Sequence, residues 1–176
     1  MIINIQYFET PFGELILGDF DNKLCLCDWR YRQMRRVVDE RVCEGLDSEF
    51  RFSSTDLIEG TKKQLTEYFQ QSRVKFDIPL LLVGTEFQKS VWEQLLGIPY
   101  GRTDTYLGLS KKLNNTKAIR AVAAANGANA ISIIVPCHRV VGSNHELVGY
   151  AGGVEVKKKL LRLENPAMYA EQLKLF

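Results

Sequence analysis

One change of periodicity governs what this chain can fold into. Up to about residue 30, apolar residues alternate in short runs separated by turn signals, the period of strands. After residue 85 they recur every three to four residues in short capped segments, the period of helices. Ile2–Phe8, Glu14–Phe20 and Lys23–Trp29 read as a β-meander, with turns at Thr10-Pro11-Phe12-Gly13 and Asp21-Asn22. In the third run Leu24, Leu26 and Asp28 fall on one face, and Cys25, Cys27 and Trp29 on the other. Residues 30–53 read as a solvated loop or short helix, whose cluster Arg30, Arg32, Arg35 and Arg36 could also touch phosphates. Leu57, Ile58, Leu65, Tyr68 and Phe69 predict a helix over Thr55–Gln71, and Lys75–Ile78 a short strand.

Pro79–Gly84 separates the two patterns. Beyond it, Thr85-Glu86 opens a helix over Phe87–Leu96, which Ile98-Pro99-Tyr100-Gly101 ends. Thr105–Leu113 predicts a second helix. Asn114-Asn115-Thr116 predicts the cap of a third, Lys117–Asn126, rich in Ala121, Ala123, Ala124 and Ala125. Such small residues suit either a tightly packed core or close approach to a groove. Ile131–Val135 reads as a strand or extended run, Val140–Val148 as a two-stranded wing turning at Gly142-Ser143-Asn144, and Val154–Leu163 as a last helix. Two short helices, a tight turn and a wing make a winged helix-turn-helix pattern.

Composition excludes several classes. With 176 residues, 45% apolar and 25% charged, the chain can bury its own core and is neither disordered nor fibrous. Four cysteines, Cys25, Cys27, Cys43 and Cys137, lack metal-finger spacing and are too few for a disulfide scaffold. Cys25 and Cys27 read as small buried hydrophobes. No apolar run reaches the roughly 18 residues of a membrane span. Met1–Gln6 lacks the basic start and apolar stretch of a signal peptide, so a reducing cytoplasm is expected. Net charge is +2, but residues 1–84 carry −3 and residues 85–165 carry +5. The basic half suits a polyanion, and equally a solvated surface with scattered charge.

Cys137 stands in Pro136-Cys137-His138-Arg139. A lone cysteine is by default a buried hydrophobe. Here it follows an apolar run and a proline, with a base and a cation beside it, the setting that favours thiolate. Adjacent residues on an extended chain point apart, so His138 would reach the thiol through water rather than directly. Glu146, Glu155 and Glu164 are the nearby acids that could orient the imidazole.

A longer series then points one way. Thr85-x-Phe87-Gln88-x-x-Val91-Trp92, Ile98-Pro99-Tyr100-Gly101, Thr105-Tyr106, Arg120-Ala121-Val122-Ala123, Asn129, Ile134-Val135-Pro136-Cys137-His138-Arg139-Val140-Val141, Gly149-Tyr150-x-Gly152-Gly153, Lys157 and Leu160-Leu161-x-x-Glu164 occur in order. The series resembles the O6-alkylguanine-DNA alkyltransferase family, densely over 85–165 and more thinly over the N-terminal meander and Gln64-Leu65-x-x-Tyr68-Phe69. The resemblance implies an α+β protein: a ribonuclease-H-like sheet and helix domain over 1–80, a winged helix-turn-helix alkyltransferase domain over 81–165, and a tail over 166–176. It implies DNA repair by irreversible, single-use transfer of an alkyl group from O6 of guanine to Cys137. His138 and Glu164 would complete a Cys–His–water–Glu chain. Arg120 resembles the finger that enters the stack where the damaged base was. Tyr106 resembles the tyrosine that promotes flipping, and Asn129 the hinge of the helix-turn-helix. Thr116, Ala121, Ala123 and Ala124 join Arg120 and Tyr106 on the DNA face. Val140, Tyr150, Ala151, Gly152 and Trp92 fall to the substrate pocket, where the backbones of Val140 and Cys137 would accept the guanine amine.

Ala130 stands where the family often has proline, and Ala151 where some members have serine, leaving only its backbone donor. Some members hold an N-terminal structural zinc. With no histidine before His138, no metal is expected, and no cofactor. The expected partner is double-stranded DNA carrying O6-alkylguanine, met by a monomer with no membrane association. Two other readings are a non-repairing alkylguanine-binding protein and a Cys–His thiol hydrolase. Gln172-Leu173-Lys174-Leu175-Phe176 resembles the short peptide by which bacterial repair proteins dock on the sliding clamp. Alternatively, Asn165-Pro166 caps a final helix that Tyr169, Leu173 and Phe176 pack onto the body.

Overall fold

The computed structural model describes residues 1–170, so the Gln172–Phe176 peptide lies outside the described residues. Strands β1 (Ile2–Thr10), β2 (Gly13–Phe20) and β3 (Lys23–Trp29) form the meander. Thr10 fixes its first turn: the hydroxyl donates to Gly13 O and accepts from Phe12 N. At the second, Asp21 and Asn22 both adopt left-handed φ, 51° and 58°, the twist a tight hairpin needs. Helix α1 (Arg35–Gly45) follows, and β4 (Glu49–Phe52) joins parallel to β1, giving sheet order β3-β2-β1-β4. The charged segment 30–53 thus supplies the short helix that is one of its two sequence readings, and an edge strand that its pattern hides.

Each face of the sheet carries a core. Ile3, Ile5 and Ile16 pack with Val38 and Val42 of α1. Leu15 and Leu17 pack with Ile58, Leu65 and Tyr68 of α2 (Asp56–Phe69). Simple alternation fails in β3. Gly18 pairs with Leu26 and Asp19 with Leu24, so Cys25 is the extra residue of a bulge. Leu24 and Cys27 therefore pack toward α2 while Cys25 and Leu26 pack toward α1.

Lys75–Ile78 is not a strand. The Gln64 side chain clamps Asp77 through Nε2 to its carbonyl and Oε1 from its N–H, and pairing with β3 comes only at Leu80. Helix α3 (Glu86–Leu96) starts on a capping box, Thr85 and Gln88 satisfying each other's backbone N–H, worth about 1 kcal/mol. Next come β5 (Asp104–Thr105), α4 (Tyr106–Lys112) and α5 (Ile119–Gly127). Asn115 does not cap the third helix: Asn114 takes a left-handed φ of 54°, and a 3-10 turn, Thr116–Ala118, precedes α5. The two-stranded wing does not form either. Val140–Val141 (β6) pair parallel with β5, and Gly142 N bonds Glu146 O to close a tight loop instead of a return strand. Helices α6 (Val154–Glu164) and α7 (Pro166–Ala170) complete the described chain, with Tyr169 buried against Val141 and Leu161. No helix among the described residues is long and apolar enough to cross a membrane.

Candidate active site

The approach to Cys137 is built by Asn129. Its Nδ2 donates to Val135 O (2.9 Å) and Ile131 O (3.2 Å), while its Oδ1 accepts from Ile131 N (3.0 Å). These bonds fold 131–135 into a turn, with Ile133 at φ 71°, rather than a strand. One rung of pairing remains: Cys27 N bonds Ala130 O and Ser132 N bonds Cys27 O, fastening the turn to the edge of β3. Ala130 is tied to β3 through its carbonyl. Pro136 then leads into a 3-10 turn, Cys137–Arg139. Asn126 of α5 donates Nδ2 to Cys137 O (3.3 Å).

Within that turn the neighbouring side chains diverge. Cys137, 2% exposed, lines a cleft of about 910 Å³. His138 is fully buried and points to α6, where Nε2 meets Glu164 Oε1 at 2.7 Å. Its Nδ1 finds no hydrogen-bond partner among the described residues. Of the three nearby acids, Glu164 is thus the one that meets the imidazole. It also accepts from Tyr68 Oη (2.7 Å), Arg139 Nε (2.9 Å) and Nη2 (3.0 Å), and Gly101 N (3.3 Å). Arg139 therefore does not serve the thiol: its guanidinium is spent on Glu164 and Ile98 O.

Electrostatics follow from burial and these bonds. Burial alone would raise Glu164, but the charges and hydrogen bonds of His138 and Arg139 outweigh it and hold the carboxyl well below its ordinary value. His138 is lowered by burial, against the pull of Glu164. The imidazole is then neutral near pH 7, with its proton on Nε2 facing an ionised carboxylate and its lone pair on Nδ1. Burial raises the Cys137 thiol, opposed by the Asn129 side chain and by the charges of Lys157 and Arg32. Lys157, buried on α6, donates to Val148 O and Gly149 O, and burial pulls it down to about 8.

The cleft separates the two halves of the chain. Trp29 from β3 donates Nε1 to Tyr150 Oη at 3.0 Å, and Tyr106 donates its hydroxyl to Val148 O at 3.2 Å. Tyr150, Ala151 and Gly152 line the cavity with Cys137, Asn126, Tyr106 and Arg120. Gly152 lies so close to Trp29 that an added Cβ would come within 2.8 Å of the indole nitrogen, which explains the glycine. Arg120 is exposed at the start of α5. Along that helix Ala121, Ala123 and Ala124 face out, as does Thr116 before it, while Val122, Ala125 and Asn126 face in. Trp92, an expected pocket residue, lies elsewhere: it is buried behind α5 with Nε1 bonded to Ala125 O. Val140, expected to serve through its backbone, has a fully buried side chain that does not line the cleft. Sequence reasoning missed Asn126, Trp29 and the Glu164 contact of Tyr68; of these, only Asn126 carried a signal, a lone polar residue on the inward face of an alanine-rich helix. Among the described residues no group of three or more His, Cys, Asp or Glu side chains is gathered to hold a metal ion.

Comparison with known proteins covers both halves. The 6-O-methylguanine DNA methyltransferase ribonuclease-like domain matches residues 3–82, and the DNA binding domain of the same name matches residues 86–166. A methylated-DNA–protein-cysteine methyltransferase of Methanosarcina acetivorans is 42% identical over 157 residues, 89% of this chain and 95% of its own. That of Mycobacterium tuberculosis is 47% identical over 163 residues, 93% of each. The crystal structure of Mycobacterium tuberculosis OGT in complex with DNA superposes with a TM-score of 0.78 at 34% identity, covering 94% of both chains.

Proposed function

The chain belongs to the 6-O-methylguanine DNA methyltransferase family, and on that premise we propose how its own residues perform the transfer. The protein is a methylated-DNA–protein-cysteine methyltransferase that repairs DNA by direct reversal. Cys137 is the acceptor. The observation that carries this is its position: a thiol opening into a cleft between the halves, one residue from a buried His138–Glu164 pair.

Burial keeps the resting thiol protonated, so attack requires a base. His138 is that base. Its Nδ1 lone pair, unpartnered among the described residues, takes the thiol proton through one water. The sulfur then attacks the alkyl carbon, the C–O bond breaks with its electron pair going to guanine, and the proton that His138 took from the thiol passes on to the departing guanine, so the imidazole returns to neutral. The product is a thioether that no neighbouring group hydrolyses, so each molecule acts once. Glu164 stabilises the imidazolium while it exists.

The alkyl group is hidden inside the duplex, so the base must be flipped, at a cost of a few kcal/mol. Arg120, exposed at the head of α5, fills the gap, and Tyr106 at the cleft mouth assists the flip. The outward alanines 121, 123 and 124, with Thr116, let α5 approach a minor groove. Tyr150, Ala151 and Gly152 receive the base, and the Val140 and Cys137 backbones its amine. Residues 1–80 form the ribonuclease-like unit, 81–165 the DNA-binding and transfer unit, and 166–176 a tail. The ranges matched by the two family domains support that division. The protein works in the cytoplasm as a monomer, and two readings of Gln172–Phe176 stand, docking on a sliding clamp or packing onto the body, which deletion of the peptide separates.

Substitution of the acceptor tests the reading. Cys137→Ser removes transfer from a methylated duplex and leaves DNA affinity unchanged, because a hydroxyl is a far weaker nucleophile while α5 is untouched. Transfer surviving in that variant would end the assignment.

A further inference from the structure

Glu164 Oε1 receives more than it can hold at full strength. Tyr68 Oη and His138 Nε2 both lie at 2.7 Å, and Arg139 Nη2 at 3.0 Å. One carboxylate oxygen has two lone pairs, so three short donors compete for them. Tyr68 is the donor from outside the transfer half. It sits on α2, fully buried, its ring wedged against Phe69, Phe76 and Tyr100 at centroid distances of 5.3, 5.6 and 6.1 Å. Its hydroxyl is held protonated by burial and by the charge of Glu164, so it can only donate.

We propose that Tyr68 is a positioning residue for alkyl transfer: by occupying Glu164 Oε1 it weakens the carboxylate's hold on His138 and keeps the imidazole free to accept the thiol proton. The proposal rests on the reading of His138 as the base. The physical chain is short. A carboxylate that accepts a strong bond from a phenol has less charge to offer the imidazolium. His138 would otherwise be drawn toward permanent protonation by an ionised acid at contact distance. The other groups facing the pair are fixed in character. Arg139 binds the same carboxylate, Lys157 on α6 adds positive charge, the Tyr150 ring lies 6.4 Å from the imidazole, and Tyr100 and Tyr169 sense the Glu164 charge. None but Tyr68 removes negative character from Oε1 without bringing a charge of its own.

The test is the pH dependence of Cys137 alkylation by free O6-benzylguanine, read by mass on the full chain from about pH 5 to about pH 8. In the unmodified protein the rate falls toward acid as His138 protonates. Tyr68→Phe keeps the ring contacts and should move that acid limb up by about half a pH unit, a roughly threefold loss of rate below it. A fluorinated tyrosine at position 68, with a more acidic phenol and a stronger donated bond, should move it down. A limb unmoved in both, whatever happens to the rate plateau or to thermal unfolding, overturns the proposal and leaves Tyr68 with packing alone. A rate in the unmodified protein that is flat over this range overturns the His138 reading itself, and the proposal with it.

Discussion

A buried thiol and a buried imidazole have opposite problems, and at Cys137–His138 each solves the other's. Burial disfavours the charged form of both. Burial thus raises the thiol and lowers the imidazole, so both favour their neutral forms at rest. A standing thiolate beside Arg139, the picture that Pro136–Arg139 suggests as a string of letters, is not what the structure holds: the guanidinium faces Glu164. At the same scale, Arg120 separates extrusion from chemistry. It is exposed on α5 and absent from the bonds around Glu164, so Arg120→Ala should slow repair of methylated duplex DNA by tenfold or more, on the order of the few kcal/mol that flipping costs, and leave the reaction with free O6-benzylguanine nearly unchanged. Rates measured side by side on the two substrates decide this. Equal losses would make Arg120 a structural residue.

The elements that hold the thiol were unevenly legible. Periodicity located α2, α3, α4 and α6 to within two residues, because each buries one face, and three of them start on a threonine cap, Thr55, Thr85 and Thr105. It failed at β4, four residues that alternate weakly because that edge strand buries almost nothing. It also failed at 131–135 and 140–148. The apolar run Ile131–Val135 is buried without being a strand, since one side chain, Asn129, satisfies the backbone groups a neighbouring strand would have taken. Val140 and Val141 do form a strand, but its partner is β5, 36 residues earlier, a pairing that local pattern cannot reveal. Asn129→Ala tests the first point. It strips three hydrogen bonds from fully buried carbonyl and amide groups, and should cost about 2–4 kcal/mol. Thermal unfolding should fall by roughly 10 °C, and alkylation of Cys137 should slow with it. A variant that keeps its melting point would mean that the turn is held from the β3 side alone.

On the scale of the whole molecule, the N-terminal half is more than a stand for the helix-turn-helix. β3 pairs with the 79–81 linker at one end and with Ala130–Ser132 at the other. The fully buried Asp28 gathers Arg32, Arg35 and the Ser132 hydroxyl within 3.0 Å, so the arginine cluster that could have touched phosphates is partly consumed inside the fold. Trp29 and Tyr68 reach from the same half to Tyr150 and Glu164. None of these contacts across the chain could be read from spacing, whereas the ordered residues from Thr85 to Glu164 made the family legible at once. The tail belongs to this scale too. Deleting residues 172–176 should abolish binding to a bacterial sliding clamp, followed by titration, with the melting point unchanged. An intact protein that does not bind the clamp, and a shortened one that melts earlier, would leave the tail a packing role. The central claim, transfer of the alkyl group to Cys137, has one decisive measurement: peptide-resolved mass spectrometry after incubation with a duplex carrying a single O6-methylguanine. The expected result is one added methyl group, on the peptide containing Cys137, at a stoichiometry that stops at one per protein molecule. No adduct, an adduct on Cys25, Cys27 or Cys43, or turnover beyond one equivalent would contradict it.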